Sequence, residues 1–378
     1  MTGIFRIAYK LLVSDRAKFA ALLVGIAFAV FLMMQMTAIF YGVLDKASST
    51  VTNIGAAVWV MDPAVNTVQS SIPLPDYVLD AVRSINGVRY AVPLYSGSSL
   101  VKLQSGMWQS VMVLGLDDNT LFGRPELEQG QIEDIYADNA FIVVHDSEFH
   151  KLENPTIGTT FDLNDHRGVI VGIAKVPVSG LYGIPTLYTT YNRAIQYIPS
   201  TRFTIAYVLV EPKRAADIPA IKAAVKAMGY LALTQQEFID KVANYYKYQT
   251  GFGTNVLFMT AISFIVGLSI SGQMFYTFIL ENLEKFGALK AIGARGWELT
   301  AMVLFQALFS GLVGFGIGAG LCTLLISLAK YRLPSYAASI TSGIVGAAFV
   351  MVLVIAGFSS FIALRKIVKI EPFDIFRG

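Results

Sequence analysis

The chain has 378 residues, of which 54% are hydrophobic and only 15% charged, with a formal net charge of +3. A soluble globular domain carries about 25% charged residues, so this composition belongs to a membrane protein. The small net charge, without any basic block interleaved with aromatics, excludes a nucleic-acid reader, and the single cysteine, Cys322, excludes an intrachain disulfide.

Residues 1–18 form a basic arm carrying Arg6, Lys10, Arg16 and Lys18. Ile4, Ile7, Ala8, Leu11 and Leu12 recur at helical spacing, which predicts an amphipathic helix in the membrane interface. The first span, 19–44, is uncharged and exceeds the roughly 20 apolar residues that cross a bilayer. It is too long for a signal-peptide core and lacks a small-residue cleavage site, so it reads as retained. Met33, Met34, Gln35 and Met36 cluster at its far end. Together with Gln273 they are candidates for a substrate or dimer surface, although methionines in spans more commonly serve plain packing.

From 45 to 233 the chain has the polarity of a water-exposed domain. The runs 56–62, 88–95, 110–116, 140–146, 168–176 and 203–212 alternate or are rich in branched residues and predict strands. Leu74–Ser84 and Pro219–Met228 have helical periodicity. This order suggests a split α+β unit with a β-rich insertion at about 118–200.

Thr234 and Glu237 form a capping-box pattern that opens a helix. Tyr245, Tyr246, Tyr248 and Phe252 follow where an interfacial aromatic belt belongs. One continuous helix from Thr234 to Leu280 would be about 70 Å long, more than twice the hydrocarbon core, and would project as a stalk. Gly251 and Gly253 are candidate kink points within this 234–280 segment.

Charges return in 281–298, ENLEKFGALKAIGARGWE. Leu283, Phe286, Leu289 and Ile292 recur every three residues, Glu281 stands four before Lys285, and Gly293 offers a C-terminal stop. On these grounds alone the segment suits a membrane-surface loop and a protein-docking helix equally. The third span, 299–329, pairs Gly314 with Gly318 and Gly316 with Gly320, two small-residue faces for helix contact within one subunit or across a dimer. The outer turn is 330–334, the fourth span 335–364 and the tail 365–378.

The run EKFGALKAIGAR resembles the coupling loop of FtsX/MacB-like permeases, the membrane subunits of ABC transporters. The matching residues are Glu284, Lys285, Gly287, Leu289, Lys290, Ala291, Ile292, Gly293 and Ala294. In the tail, Lys369, Glu371, Pro372 and Ile375 are similar to that family's ending. The first span resembles most the DevC and haem-exporter branch, and the split domain resembles the MacB external domain. The resemblance implies an α-helical membrane protein with four transmembrane helices and a large extracytoplasmic α+β domain inserted between the first and second spans. It implies ATPase coupling through Glu284, Lys285, Phe286, Gly287, Leu289, Lys290, Ile292 and Gly293. Implied partners are two copies of an ABC ATPase, a second copy of this chain, membrane lipid, and an external adaptor or membrane-fusion protein. ATP and Mg would be held by the ATPase.

This chain has no phosphate-binding Gly-x-x-x-x-Gly-Lys-Ser/Thr loop, no Gly-x-Ser-x-Gly and no His-Glu-x-x-His. His145, His150 and His166 lack a zinc spacing and read as solvated. The expectation is therefore a non-catalytic subunit without cofactor or metal. No span carries an acidic residue, which argues against a proton-coupled carrier. Basic residues concentrate in the arm, the 281–298 loop and the tail, which predicts a multi-pass inner-membrane protein with both termini cytoplasmic. Two functions fit: ATP-driven export or extraction of a hydrophobic or amphiphilic substrate, and FtsX-type signalling to an external cell-wall hydrolase.

Overall fold

The computed structural model describes residues 2–180, 183–198 and 204–368. The tail residues Lys369, Glu371, Pro372 and Ile375 lie outside them. In chain order, α1 (Thr2–Ser14), α2 (Arg16–Ala47) and α3 (Ser49–Ile54) precede the first strand. A mixed segment follows: β1 (Val58–Met61), α4 (Tyr77–Arg83), β2 (Val88–Lys102), β3 (Trp108–Leu116), β4 (Glu126–Gln129), β5 (Ala140–Val144) and β6 (Thr160–Leu163). It continues with β7 (His166–Lys175), β8 (Thr186–Thr190), α5 (Tyr191–Tyr197), β9 (Tyr207–Pro212), α6 (Ile218–Ala227) and β10 (Leu231–Thr234). The chain closes with α7 (Gln235–Tyr248), α8 (Phe252–Glu281), α9 (Leu283–Ala291), α10 (Gly296–Arg332) and α11 (Ser342–Val368). Four of these helices, α2, α8, α10 and α11, are long and apolar enough to cross a membrane. The chain divides into a helical unit and an α/β unit; the latter comprises Val43–Phe252 and the short turn Leu333–Ala337.

In the α/β unit the strands run β10-β1-β9-β2-β3-β8-β5-β7-β4, with β6 pairing β2 and β7. β2 serves two cores because it is long: Val88–Leu94 pairs with β9, and Tyr95–Lys102 pairs with β3. One core gathers Val58, Val60, Val78, Val208, Ile221 and Val225 beneath α4 and α6. The other gathers Val111, Val113, Phe141, Val143, Phe161 and Leu187. The β-rich part therefore opens near Tyr95, in the second half of β2, rather than at 118. Strands shorter than the expected runs, β4, β6, β8 and β10, complete the sheet.

β1 is buried along its whole length because both faces are covered. Val58 and Val60 face α4 and α6, while Trp59 on the other face meets Tyr207 at 5.4 Å and Phe238 at 5.5 Å between ring centroids. Phe238, Val242 and Tyr246 are the buried stripe of α7, spaced four apart as a helix lying on a sheet requires. The capping box forms as expected. The Thr234 hydroxyl accepts from the Glu237 amide at 3.3 Å, and the Glu237 carboxylate accepts from the Thr234 amide at 2.8 Å.

The continuous rod from Thr234 to Leu280 does not form. α7 ends at Tyr248, Gly251 takes φ +72°, and α8 starts at Phe252. A left-handed residue cannot continue a right-handed helix, and glycine is the residue that occupies that conformation at least cost. The candidate kink is thus a full break.

Within the helical unit α2 is central. Gly267 of α8 lets the Ala29 methyl approach, so that a Cβ there would stand 2.5 Å from it. Gly314 and Gly318 of α10 seat Ile26, Ala27 and Val30 in the same way, whereas Gly316 and Gly320 face open space. The two glycine pairs therefore have different roles: one packs α10 on α2, and the other leaves a smooth unoccupied face. α1 buries Ala8, Leu11 and Leu12. It is held to α10 by Phe5 on Phe305, Tyr9 on Phe309, and the Gln306 amide donating to the Ala8 carbonyl at 2.8 Å. The apolar face expected to rest on lipid is in large part a helix-packing face.

Candidate functional site

The charged segment between α8 and α10 folds as a helix fastened at one end and free at the other. Asn282 makes the corner: its side-chain amide donates to the Phe278 carbonyl and its side-chain oxygen accepts from Lys285, both at 2.8 Å. Phe286 is fully buried, and Leu283 and Leu289 are half-buried. Of the expected apolar stripe, three members thus root α9 in the bundle. Only Ile292 is left free, at 85% exposure.

Past Ile292 the helix stops in a Schellman motif. Gly293 adopts φ +107°; its amide donates to the Lys290 carbonyl at 3.1 Å, and the Ala294 amide to the Leu289 carbonyl at 3.0 Å. α10 then begins under its own cap, the Glu298 carboxylate accepting from the Arg295 amide at 2.7 Å. Between the two caps Trp297 stands 51% exposed. Sequence periodicity missed it, since it falls outside the three-residue repeat; an aromatic flanked by charges just ahead of a span was the available signal. Lys18 on α2 pairs with Asp15 at 2.9 Å and also with Glu281, the last residue of α8, bracing the root of the loop.

Glu284 and Lys285 are exposed, Lys290 is half-buried and Gly287 is buried. The residues named from sequence therefore separate into an anchor (Phe286, Gly287, with Leu289 behind) and a presented surface (Glu284, Lys285, Ile292, Gly293, with Lys290 at its edge). A rigid knob with an exposed isoleucine and tryptophan among charges is equipped to seat in a partner's pocket, where aromatic and aliphatic anchors carry binding energy.

The second set of candidates is not brought together as one surface. Met33 and Met34 are buried in the bundle, Gln35 accepts a long contact from the Cys322 thiol at 3.8 Å, Met36 is half-buried and Gln273 is exposed on α8. Among the described residues no group of three or more His, Cys, Asp or Glu is placed to hold a metal ion. His145 pairs with Glu128 at 2.6 Å, and His166 stacks on Tyr197 at 4.5 Å. Between α2 and α10 the helical unit has an apolar groove of about 330 Å³, lined by Val24, Phe28, Phe31, Ile317 and Leu321 among others.

Residues 19–228, more than half of the chain, match the family described as MacB-like periplasmic core domain, and residues 256–372 match FtsX-like permease C-terminal. An uncharacterized ABC transporter permease of Mycobacterium tuberculosis is 25% identical over 352 residues, covering 91% of each chain. A Staphylococcus haemolyticus protein described as a hemin transport system permease is 21% identical over 150 residues, 40% of this chain and 41% of its own. Among solved structures, the extracellular domain of the Gram-positive ABC-type transporter YknZ aligns at TM-score 0.36 and 12% identity, over 47% of this chain and 99% of its own. The periplasmic region of MacB from Actinobacillus actinomycetemcomitans aligns at the same score and identity, over 53% and 97%.

Proposed function

The chain belongs to the FtsX/MacB-like family of ABC transporter permeases, and on that premise we propose that it is the membrane subunit through which a separate ATPase drives movements of the α/β domain. ATP and Mg are bound by that ATPase, two copies of which serve a homodimer of this chain. Both termini and the α9 loop face the cytoplasm, in keeping with the basic residues of the arm and loop. The observation that carries the reading is the α9 knob: Phe286 roots it, while Ile292 and Trp297 are left bare to solvent.

The work done on the far side is mechanical. α2 runs unbroken from Arg16 to Ala47, about 48 Å at 1.5 Å per residue, and enters the α/β unit as a helix. The substrate class is hydrophobic or amphiphilic, such as haem, lipid or a drug. The apolar lining of the α2–α10 groove and the resemblance to a hemin transport permease both support it. The test is copurification. The full-length protein in detergent should retain a nucleotide-binding ATPase, and Ile292→Glu should release it while leaving the chain folded. Retention of the ATPase at wild-type level by that variant would remove the basis of the proposal.

A second reading, signalling to an external hydrolase or docking of an adaptor, is favoured by the tip of the β2–β3 hairpin. Leu100, Met107 and Trp108 there are 54%, 61% and 63% exposed, an unusual apolar cluster on a turn. Substrate-stimulated ATP hydrolysis supports export; capture of an external hydrolase that is lost in Trp108→Ser supports signalling.

A further inference from the structure

The short helix α5, YNRAIQY, has two polar pairs at helical spacing with different fates. Arg193 and Tyr197, four apart, turn inward, whereas Asn192 and Gln196, also four apart, stay exposed. Arg193 is structural. Its guanidinium donates to the carbonyls of Ile135 and Ala140, each at 2.8 Å, and of Ala137 at 2.7 Å, fixing the backbone 135–140 against the helix. Tyr197 ties the other side. Its hydroxyl donates to the Asn139 side-chain oxygen, and its carbonyl accepts from the Asn164 side chain at 2.9 Å. Its ring stacks on His166 at 4.5 Å between centroids.

These ties frame an open pocket of about 440 Å³ within the α/β unit, bounded by Asp118, Tyr136, Asp138, His166, Asn192 and Gln196 among others. Sites for small ligands measure about 300–1,000 Å³. The lining is polar, unlike that of the groove between α2 and α10. Tyr136 is exposed, yet its hydroxyl donates to the Asp118 carbonyl at 2.8 Å, so its ring is a fixed wall. The Asp118 carboxylate accepts from the Asn192 backbone amide at 3.2 Å. Among the described residues, the side chains of Asp138, Asn192 and Gln196 make no hydrogen bond within the protein.

The chemistry of this lining narrows what it can hold. Two carboxylates outnumber a single guanidinium already committed to backbone carbonyls, so an anion is repelled. An apolar ligand would strip water from Asp138 and Gln196 and leave them unpaired, at a cost for each group. Among the described residues no three His, Cys, Asp or Glu converge as metal ligands. A neutral polyhydroxylated ring meets every requirement. Its hydroxyls can donate to the carboxylates and both donate to and accept from the Asn192 and Gln196 amides. Its C–H face can rest on the Tyr136 ring, an apolar body with a polar tip.

We propose that this pocket binds a saccharide, with Asp118, Asp138, Asn192 and Gln196 reading its hydroxyls and Tyr136 carrying its apolar face. The assignment is independent of the permease reading, since it invokes neither ATP nor movement.

Saturation-transfer NMR on the full-length protein in lipid nanodiscs tests it, with glucose, galactose, N-acetylglucosamine, cellobiose and chitobiose as the probes. At least one should bind. Asp138→Ala should then weaken binding at least about tenfold and Gln196→Ala about fivefold, the scales of a lost hydrogen bond to a charged and to a neutral group. Tyr136→Ala should cost about fivefold through the lost ring contact. All three positions are exposed, so the fold is kept. Lys226→Ala, exposed on α6 outside the pocket, should bind as wild type does. Tighter binding of a disaccharide than of its monomer supports a unit of a polymer as the ligand, and equal binding supports a free sugar. Binding of none of the five sugars overturns the proposal, as does wild-type affinity in Asp138→Ala and Gln196→Ala. An equal loss in Lys226→Ala places binding elsewhere and overturns the site. A loss in Asp138→Ala with none in Tyr136→Ala marks a purely electrostatic contact and overturns the saccharide assignment.

Discussion

Substituting alanine at each of the four paired glycines of α10, Gly314, Gly316, Gly318 and Gly320, separates the two faces of that helix. A Cβ at Gly318 would lie 2.5 Å from the Ala27 carbonyl oxygen and 2.8 Å from Val30 Cβ. Neither atom can rotate away: one is backbone and the other the branch point of a β-branched side chain. α2 and α10 must separate, and overpacking of this kind costs roughly 1–3 kcal/mol. Against it stands the gain of about 1 kcal/mol from replacing glycine by alanine inside a helix. The net expectation for Gly318→Ala is a destabilisation of about 0–2 kcal/mol. Gly314→Ala should be milder, because no backbone atom obstructs it: Ile26 Cγ2 and Cβ stand at 2.7 and 2.8 Å, and Ala27 N stands off at 3.6 Å. Gly316→Ala and Gly320→Ala meet nothing within 4 Å and should be neutral or stabilising by up to about 1 kcal/mol. Equilibrium unfolding in mixed micelles, monitored by far-UV circular dichroism, measures all four. Equal shifts at the four positions would refute the assignment of faces. Concentration-dependent destabilisation at Gly316 and Gly320 alone would place the subunit seam on the open face.

Further expectations concern the loop, the membrane topology and the α7 cap. Ile292→Glu and Trp297→Ser should each lower ATPase retention at least about tenfold in a pulldown, the loss expected for an interface anchor. Phe286→Glu should instead lower the yield of folded protein, because it buries an unpaired charge; binding lost through Phe286 with normal folding would contradict its anchoring role. In a Cys322→Ser background, Ser105→Cys should react with an impermeant maleimide on intact cells and Ala291→Cys only after lysis. Both positions are exposed, unlike Asn282 or Ser49, which are 7% and 2% accessible and would stay silent on either side. Labelling of Ala291→Cys before lysis would invert the topology. Thr234→Ala removes the accepting half of the α7 capping box and should cost about 1 kcal/mol in thermal unfolding. An unchanged midpoint would mean that Trp59 and Phe238 hold α7 unaided.

Local composition alone determined much of this protein. Long uncharged runs must lie in lipid or in a core, so four spans and an inserted polar domain could be counted without coordinates. The alternating runs around Val58, Val111, Val143 and Val208 and the Thr234–Glu237 cap depend on near neighbours, and they appear where periodicity places them. The charges of 281–298 marked a water-facing loop between spans for the same reason. Tertiary structure decided what each apolar or small residue faces, because spacing shows that residues share a side of a helix but not what covers that side. Phe286 and Ile292 belong to one repeat, yet one is buried and the other bare. Gly314 and Gly316 look alike in sequence, yet only Gly314 seats Ile26. Gly251 was a candidate kink, and whether it bends or breaks the helix depended on a backbone dihedral that composition does not specify. The Lys46 ammonium donates to the Ser335 carbonyl across 289 positions, and no local pattern brings such partners together; only the folded chain does.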